Sequence, residues 1–279
     1  MKHVGAALAA ILLSSCSLLS AANIPGIPME ALVKGGLRAG ASQLPVGPEE
    51  EIAYGGAVAV NVVQRYGGLD ASPALVEYVG LIGEALAVHS ARPDLPYHFA
   101  VLATDEVNAV SAPGGYVFVT RGAIKACRNE SELAGIMAHE IGHIVGRHAV
   151  KILQNLKSKE AVADEAGWES SAVFGEVVDG FLDDYMTKGL PQEDEFEADR
   201  IGTALLARVG WQVSGLRDLL QRLADRKGAA PTDRFYGTHP DTADRVARIN
   251  ALLPGYKGTD GVPLETRFRE KTAVLAAPK

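Results

Sequence analysis

Apolar positions recur at helical spacing from Glu50 to Tyr66 and again from Pro73 to Val88, which predicts two amphipathic helices. Tyr97 to Ala103 and Tyr116 to Thr120 are short runs rich in aromatic and β-branched residues and read as strands, with Asn108 to Gly115 as the loop or hairpin connection between them. Asn129 is a candidate N-cap, with Glu130 and Glu132 in the first turn of an apolar helix that runs through His139 and His143 towards Leu156. From Lys157 to Gln192 the pattern stays helical but is broken by charges at Asp164-Glu165 and Asp183-Asp184, so no membrane-spanning helix is expected there. Helices over Glu193 to Arg208, Leu216 to Arg226 and Asp241 to Leu253 complete the pattern. The expected class is α+β, mainly helical, with a small antiparallel sheet beside the helix that carries His139.

The ends of the chain differ from this body. Lys2 precedes an apolar run from Val4 to Leu13, too short for a comfortable membrane span and suited to a signal peptide over residues 1–15. Leu13-Ser14-Ser15 before Cys16 resembles a bacterial lipobox, which implies cleavage ahead of a lipidated Cys16; an ordinary secretory leader with an incidental cysteine is the other reading. Ser17 follows the cysteine, and by resemblance to lipoprotein sorting this favours the periplasmic face of the outer membrane. Residues 16–48, rich in Gly, Pro, Ala and Ser, read as a tether, residues 49–253 as one domain, and residues 254–279 as a C-terminal extension without a helical-repeat domain.

Composition narrows the class further. The 279 residues are 47% hydrophobic and 22% charged, enough for a substantial core. A formal charge of -7 without a long basic run argues against a nucleic-acid partner. With Cys16 lipidated, Cys127 is the one thiol left, so an intrachain disulfide is excluded; Cys127 is expected to be a buried apolar filler.

The chemistry centres on His139-Glu140-Ile141-Gly142-His143, an HExxH motif. Four helical residues turn about 400°, so both imidazoles share a face and can reach one zinc ion, while Glu140 lies about 100° around, placed to contact a zinc-bound water. His148, nine residues beyond His139, would fall on the opposite side of a continuous helix and is expected to be structural. A catalytic zinc needs a third protein ligand. The candidate is Glu195, one turn before Asp199, so that one carboxylate binds metal while the other orients an imidazole; the same acidic cluster would also suit an ordinary solvated helix start.

Further motifs lie in order along the chain: Val107-Asn108-Ala109 with Pro113 to Gly122, the HExxH segment, Glu195 to Gly202, and Thr238-His239-Pro240 leading to Arg245. With these the sequence resembles metallopeptidase family forty-eight, gluzincins that include integral-membrane members and a soluble periplasmic lipoprotein branch, over roughly Glu50 to Leu253. The resemblance implies a zincin-like fold, one zinc held by His139, His143 and Glu195, and Asp199 as the supporting carboxylate. It implies that His239 and Arg245 sit beside the zinc and polarise the scissile carbonyl. Val110-Ser111-Ala112 stands where relatives carry bulkier apolar residues, which bears on the shape of the substrate pocket.

The activity these features imply is a zinc metalloendopeptidase in the cell envelope, with Glu140 as general base and then acid, acting on misfolded or unassembled envelope proteins as quality control. Strand Tyr116 to Thr120 is a candidate edge for an extended substrate, an internal structural strand being equally open. The alternative from another class is a periplasmic chaperone or outer-membrane assembly factor with structural zinc.

Overall fold

The computed structural model describes residues 45–163, 171–225, 242–256 and 261–276. Cys16, the expected signal peptide, nearly all of the tether and His239 lie outside them. Helices α1 (Pro48–Arg65) and α2 (Pro73–Ala87) each begin with proline, tolerated there because a first-turn N–H has no intrahelical partner to lose. Strand β1 (His98–Leu102) follows, then β2 (Ala109–Ala112), a 3-10 turn over Pro113–Gly115, and β3 (Tyr116–Thr120). The short helix α3 (Arg121–Ala126) leads into α4 (Glu130–Val145), capped by the Asn129 side chain accepting from the Glu132 N–H. The order continues with α5 (His148–Ala163), α6 (Ser171–Lys188), α7 (Gln192–Val209), α8 (Gly215–Ala224), α9 (Thr242–Leu252) and α10 (Glu265–Thr272).

The class is α+β and mainly helical, as the pattern predicts. The sheet corrects the expectation: it is mixed, in the order β1-β3-β2. β2 and β3 are antiparallel, with Ala112 opposite Tyr116, whereas β1 runs parallel to β3, from His98 opposite Tyr116 to Leu102 opposite Thr120. The cause is the connection read as a loop. Gly114 and Gly115 both take positive φ, 76° and 98°, closing a tight β2–β3 hairpin, and β1 pairs along the other side of β3. β3 is therefore the central strand, hydrogen-bonded on both sides, and cannot receive a substrate strand; the outer strands are β1 and β2.

Alternation along the strands divides the interior in two. Val117 and Val119 face a core with α2, α4 and α8, while Phe118 faces a second core with α1, α5 and α6. The C-terminal extension joins the first: Phe268 of α10 is buried there, and Arg267 pairs with buried Glu130 at the start of α4, which also accepts from Tyr78 and Trp211. No helix among the described residues is long and apolar enough to cross a membrane.

The expected single helix from Asn129 towards Leu156 is two helices. It stops at Gly146, and Arg147 takes a left-handed φ of 55° before α5 begins. Buried Glu51 sits behind the break, accepting two bonds from Arg92 at 2.8 and 3.0 Å and lying 3.4 Å from Arg147. Arg92 also donates to the Ile144 carbonyl, and Arg147 to the Val46 carbonyl, so the break is held from three directions.

Helix α4 crosses α7 in close contact because the crossing points lack side chains. A Cβ added at Gly142 would lie 2.7 Å from the Ala198 carbonyl oxygen, and one at Gly202 would lie 3.0 Å from the His139 nitrogen. A helical Gly→Ala change usually stabilises by about 0.5–1 kcal/mol. Here Gly142→Ala is expected to destabilise by about 1–3 kcal/mol, because backbone must move to admit the methyl group. Urea unfolding measures the sign, and an unchanged or stabilised variant would show that the contact is not tight.

Candidate metal centre

His139 and His143 stand one turn apart on α4, their rings nearly perpendicular with centroids 4.5 Å apart. Their Nε2 atoms face each other at 3.0 Å. Glu195, in the first turn of α7, puts Oε2 3.3 Å from His139 Nε2 and Oε1 3.5 Å from His143 Nε2. All three side chains are buried. A tetrahedral ion with ligand bonds of about 2.0–2.1 Å sets its donors about 3.3–3.4 Å apart, so the observed separations fit a single metal ion of that kind. The structure thus brings together the three residues expected as ligands.

Asp199 lies one turn after Glu195 on the same face of α7. Its Oδ1 is 2.9 Å from His139 Nδ1, the geometry in which a carboxylate fixes the tautomer of a ligating imidazole. Arg245 of α9, fully buried, donates twice to Asp199 at 2.8 and 2.9 Å and reaches Glu195 at 3.3 Å. Its guanidinium is engaged with the carboxylates that hold the site, where the resemblance implied a residue beside the zinc that polarises the scissile carbonyl. Glu140 is buried on α4, within electrostatic reach of Arg245 and of Tyr185 from α6. Burial raises the Tyr185 hydroxyl well above its usual range.

Burial and the Arg245 charge push the His139 imidazolium to lose its proton, but Asp199 and Glu195 outweigh them and raise its pKa to about 9 without metal. Burial works against the Asp199 carboxylate, yet Arg245 and His139 lower it to about 2. For His139 the raised value means stabilisation complete below its ordinary 6.5 and lost as pH rises through about 9. A metal ion must displace that proton. Metal uptake at pH 7 is therefore expected to release about one proton from His139, with affinity rising roughly tenfold per pH unit towards pH 9. Calorimetry in buffers of different ionisation enthalpy reads the release, and pH-independent affinity between 6.5 and 8.5 would contradict it.

His148 departs from the sequence reading. Because the helix breaks at Arg147, His148 does not fall on the far side of α4; it returns towards it, with Nδ1 2.8 Å from His143 Nδ1. Its Nε2 lies 3.3 Å from Glu197 and 3.6 Å from Asp194. Burial lowers its pKa, against the pull of those carboxylates. The signal for this placement is Gly146, a helix stop directly after the apolar run. Glu197 points to His148 and does not join the ligand trio. His239 and Cys16 lie outside the described residues, and Cys127 is buried, donating weakly to the Ala123 carbonyl.

A buried trio of two imidazoles one turn apart and a carboxylate from a crossing helix, with a glutamate between the imidazoles in sequence, defines the class of HExxH metalloproteins. Residues 73–253 match the profile of Peptidase family M48, and the chain belongs to that family. It is 28% identical over 203 residues to the beta-barrel assembly-enhancing protease of Escherichia coli K12, covering 65% of this chain and 40% of that protein. A putative beta-barrel assembly-enhancing protease of Vibrio cholerae is 29% identical over 208 residues, covering 71% and 43%. The mitochondrial metalloendopeptidase OMA1 of Schizosaccharomyces pombe is 27% identical over 178 residues, covering 63% and 52%. The chain thus spans about half or less of the length of these relatives.

Proposed function

We propose that this protein is a zinc-dependent metalloendopeptidase that hydrolyses misfolded or unassembled proteins of the bacterial cell envelope. The observation that carries the reading is the His139–His143–Glu195 trio, at the donor spacing of a tetrahedral ion, with Glu140 buried beside it. Two imidazoles and one carboxylate are a donor set found in catalytic zinc sites, where the metal acidifies a water and polarises a carbonyl.

In this reading Glu140 accepts the proton of the attacking water and later delivers one to the departing amine. Asp199 holds His139 in the tautomer whose Nε2 lone pair faces the ligand cluster. Arg245 clamps both carboxylates of α7, and we assign it that positioning role in place of direct carbonyl polarisation. His239 keeps its expected role as a donor to the carbonyl oxygen, where developing negative charge is stabilised most strongly away from water. An extended substrate would add to β2, an outer strand packed against α4.

The bacterial relatives' names, beta-barrel assembly-enhancing proteases, support unassembled β-barrel proteins as the substrate class. The sequence Leu13 to Cys16 supports residues 1–15 as a signal peptide and a lipid anchor on Cys16, with the catalytic domain held at the periplasmic face of the outer membrane. Cys16→Ser is expected to release the protein from the membrane fraction, and a variant that fractionates like the wild type would remove the anchor from the proposal.

Glu140→Gln keeps the size and polarity of the side chain and removes its basicity. Hydrolysis of unfolded envelope proteins is expected to fall by about 10²–10⁴, since positioned proton transfer is worth that much, while zinc content stays near one per chain. A variant that restored a deletion strain as well as the wild type would assign the physiological role to the chaperone alternative.

A further inference from the structure

We infer that His148 is a positioning residue for the metal centre, the middle member of a carboxylate–imidazole–imidazole relay that fixes the tautomer and orientation of His143. The inference rests on the reading of His139, His143 and Glu195 as metal ligands.

The two Nδ1 atoms, of His143 and His148, are 2.8 Å apart, a distance at which one nitrogen donates and the other accepts. His143 Nε2 faces His139 and Glu195, so as a neutral ligand it keeps its lone pair there and its proton on Nδ1. His148 Nδ1 must then accept, which leaves the His148 proton on Nε2. That nitrogen faces Glu197 Oε2 at 3.3 Å and Asp194 Oδ1 at 3.6 Å, two carboxylates able to receive it. Each donor in the chain meets an acceptor, and the tautomer of each ring is dictated by its neighbour.

His148, Asp194 and Glu197 are close enough together to hold a cation of their own, and the same geometry argues against it. A metal on His148 Nε2 together with one on His143 Nε2 would leave the remaining proton of each neutral ring on Nδ1. Two N–H groups would then oppose each other at 2.8 Å. The Lys151 ammonium, 3.0 Å from Asp194 Oδ1, already supplies positive charge to this cluster. The arrangement accommodates a proton on His148 Nε2.

Local backbone makes the space for this ring. A Cβ added at Gly146 would lie 2.3 Å from His148 Nε2, so the glycine that ends α4 also leaves the volume that the imidazole fills. The left-handed turn at Arg147 then swings His148 back beside His143 with its side chain buried. A methyl group at position 146 would displace the ring without altering its chemistry.

The test uses the full chain with His148→Leu, His148→Asn and Gly146→Ala, zinc affinity being measured by competition with a chromogenic chelator. Loss of such a supporting partner costs roughly 10–100-fold in metal affinity, and that loss is expected for His148→Leu and for Gly146→Ala. His148→Asn is expected to recover most of it, because the amide oxygen stands near the position of Nδ1 and accepts the same proton. In the zinc-loaded wild type, long-range nitrogen–proton NMR of the imidazoles is expected to find the His143 proton on Nδ1 and the His148 proton on Nε2. A His148 proton on Nδ1 or on both nitrogens, wild-type zinc affinity in His148→Leu, or a second zinc per chain lost in that variant would each overturn the relay. Wild-type protein that takes up no zinc would overturn the metal-site reading itself, which keeps the two failures distinct.

Discussion

The site depends on how closely α4 can approach its neighbours. Gly142 and Gly202 let α7 rest directly on the backbone of α4, and only at that distance does Glu195 reach both Nε2 atoms while Asp199 reaches the back of His139. The same device recurs on another side of α4. An added Cβ at Gly135 would meet the Leu216 nitrogen at 2.6 Å, and one at Gly215 the Ser131 carbonyl oxygen at 2.2 Å, so α8 is seated as tightly. Helix α4 is thus fixed between two close contacts before any polar interaction is considered. The ligand geometry inherits that rigidity, because packed interiors resist shifts even of a methylene group.

A second constraint closes the far end of α4. Glu51 is buried on α1 and gathers Arg92 and Arg147, joining the first helix, the segment before β1 and the break after Val145. A buried carboxylate is tolerated only with such partners, so the hub holds the chain in a break that includes a non-glycine residue at positive φ. That break places His148, the first residue of α5, against His143 and adds a third imidazole to the two of the HExxH motif. The polar cluster therefore extends from α9 through α7 and α4 to the first residue of α5.

What could be read from the sequence follows from the range of the interactions involved. His139, Glu140 and His143 lie within one helix and follow from its 3.6-residue period alone. Asp199 follows from Glu195 in the same way, but that α7 crosses α4 is a tertiary fact, and without the resemblance the acidic stretch at Glu193 to Glu197 also described a solvated helix start. The helix boundaries came within a few residues wherever proline, glycine or a capping asparagine marked them. Two errors had one origin each. The strand at Ala109–Ala112 was hidden because four buried residues show no alternation, and with it went the mixed topology and the central place of β3. The break at Arg147 was hidden because an arginine gives no local sign of positive φ, and Gly146 beside it marks a helix stop while staying right-handed itself; continuing the helix then sent His148 to the wrong side.

Charge explains why so polar an assembly can sit inside the fold. Glu140, Glu195 and Asp199 bring three carboxyl groups into a volume where Arg245 is the guanidinium that faces them, and His139 takes up a proton against the effect of its own burial. Isolated, such groups would each cost several kcal/mol to desolvate. A proton on His139 offsets part of the excess negative charge, but it occupies the histidine in a form that cannot act as a ligand. A divalent cation exchanged for that proton leaves the imidazoles neutral and adds more positive charge than the proton supplied. Metal binding and burial of the cluster therefore favour one another, and the stability of α7 and α9 against α4 is tied to occupancy of the site they build.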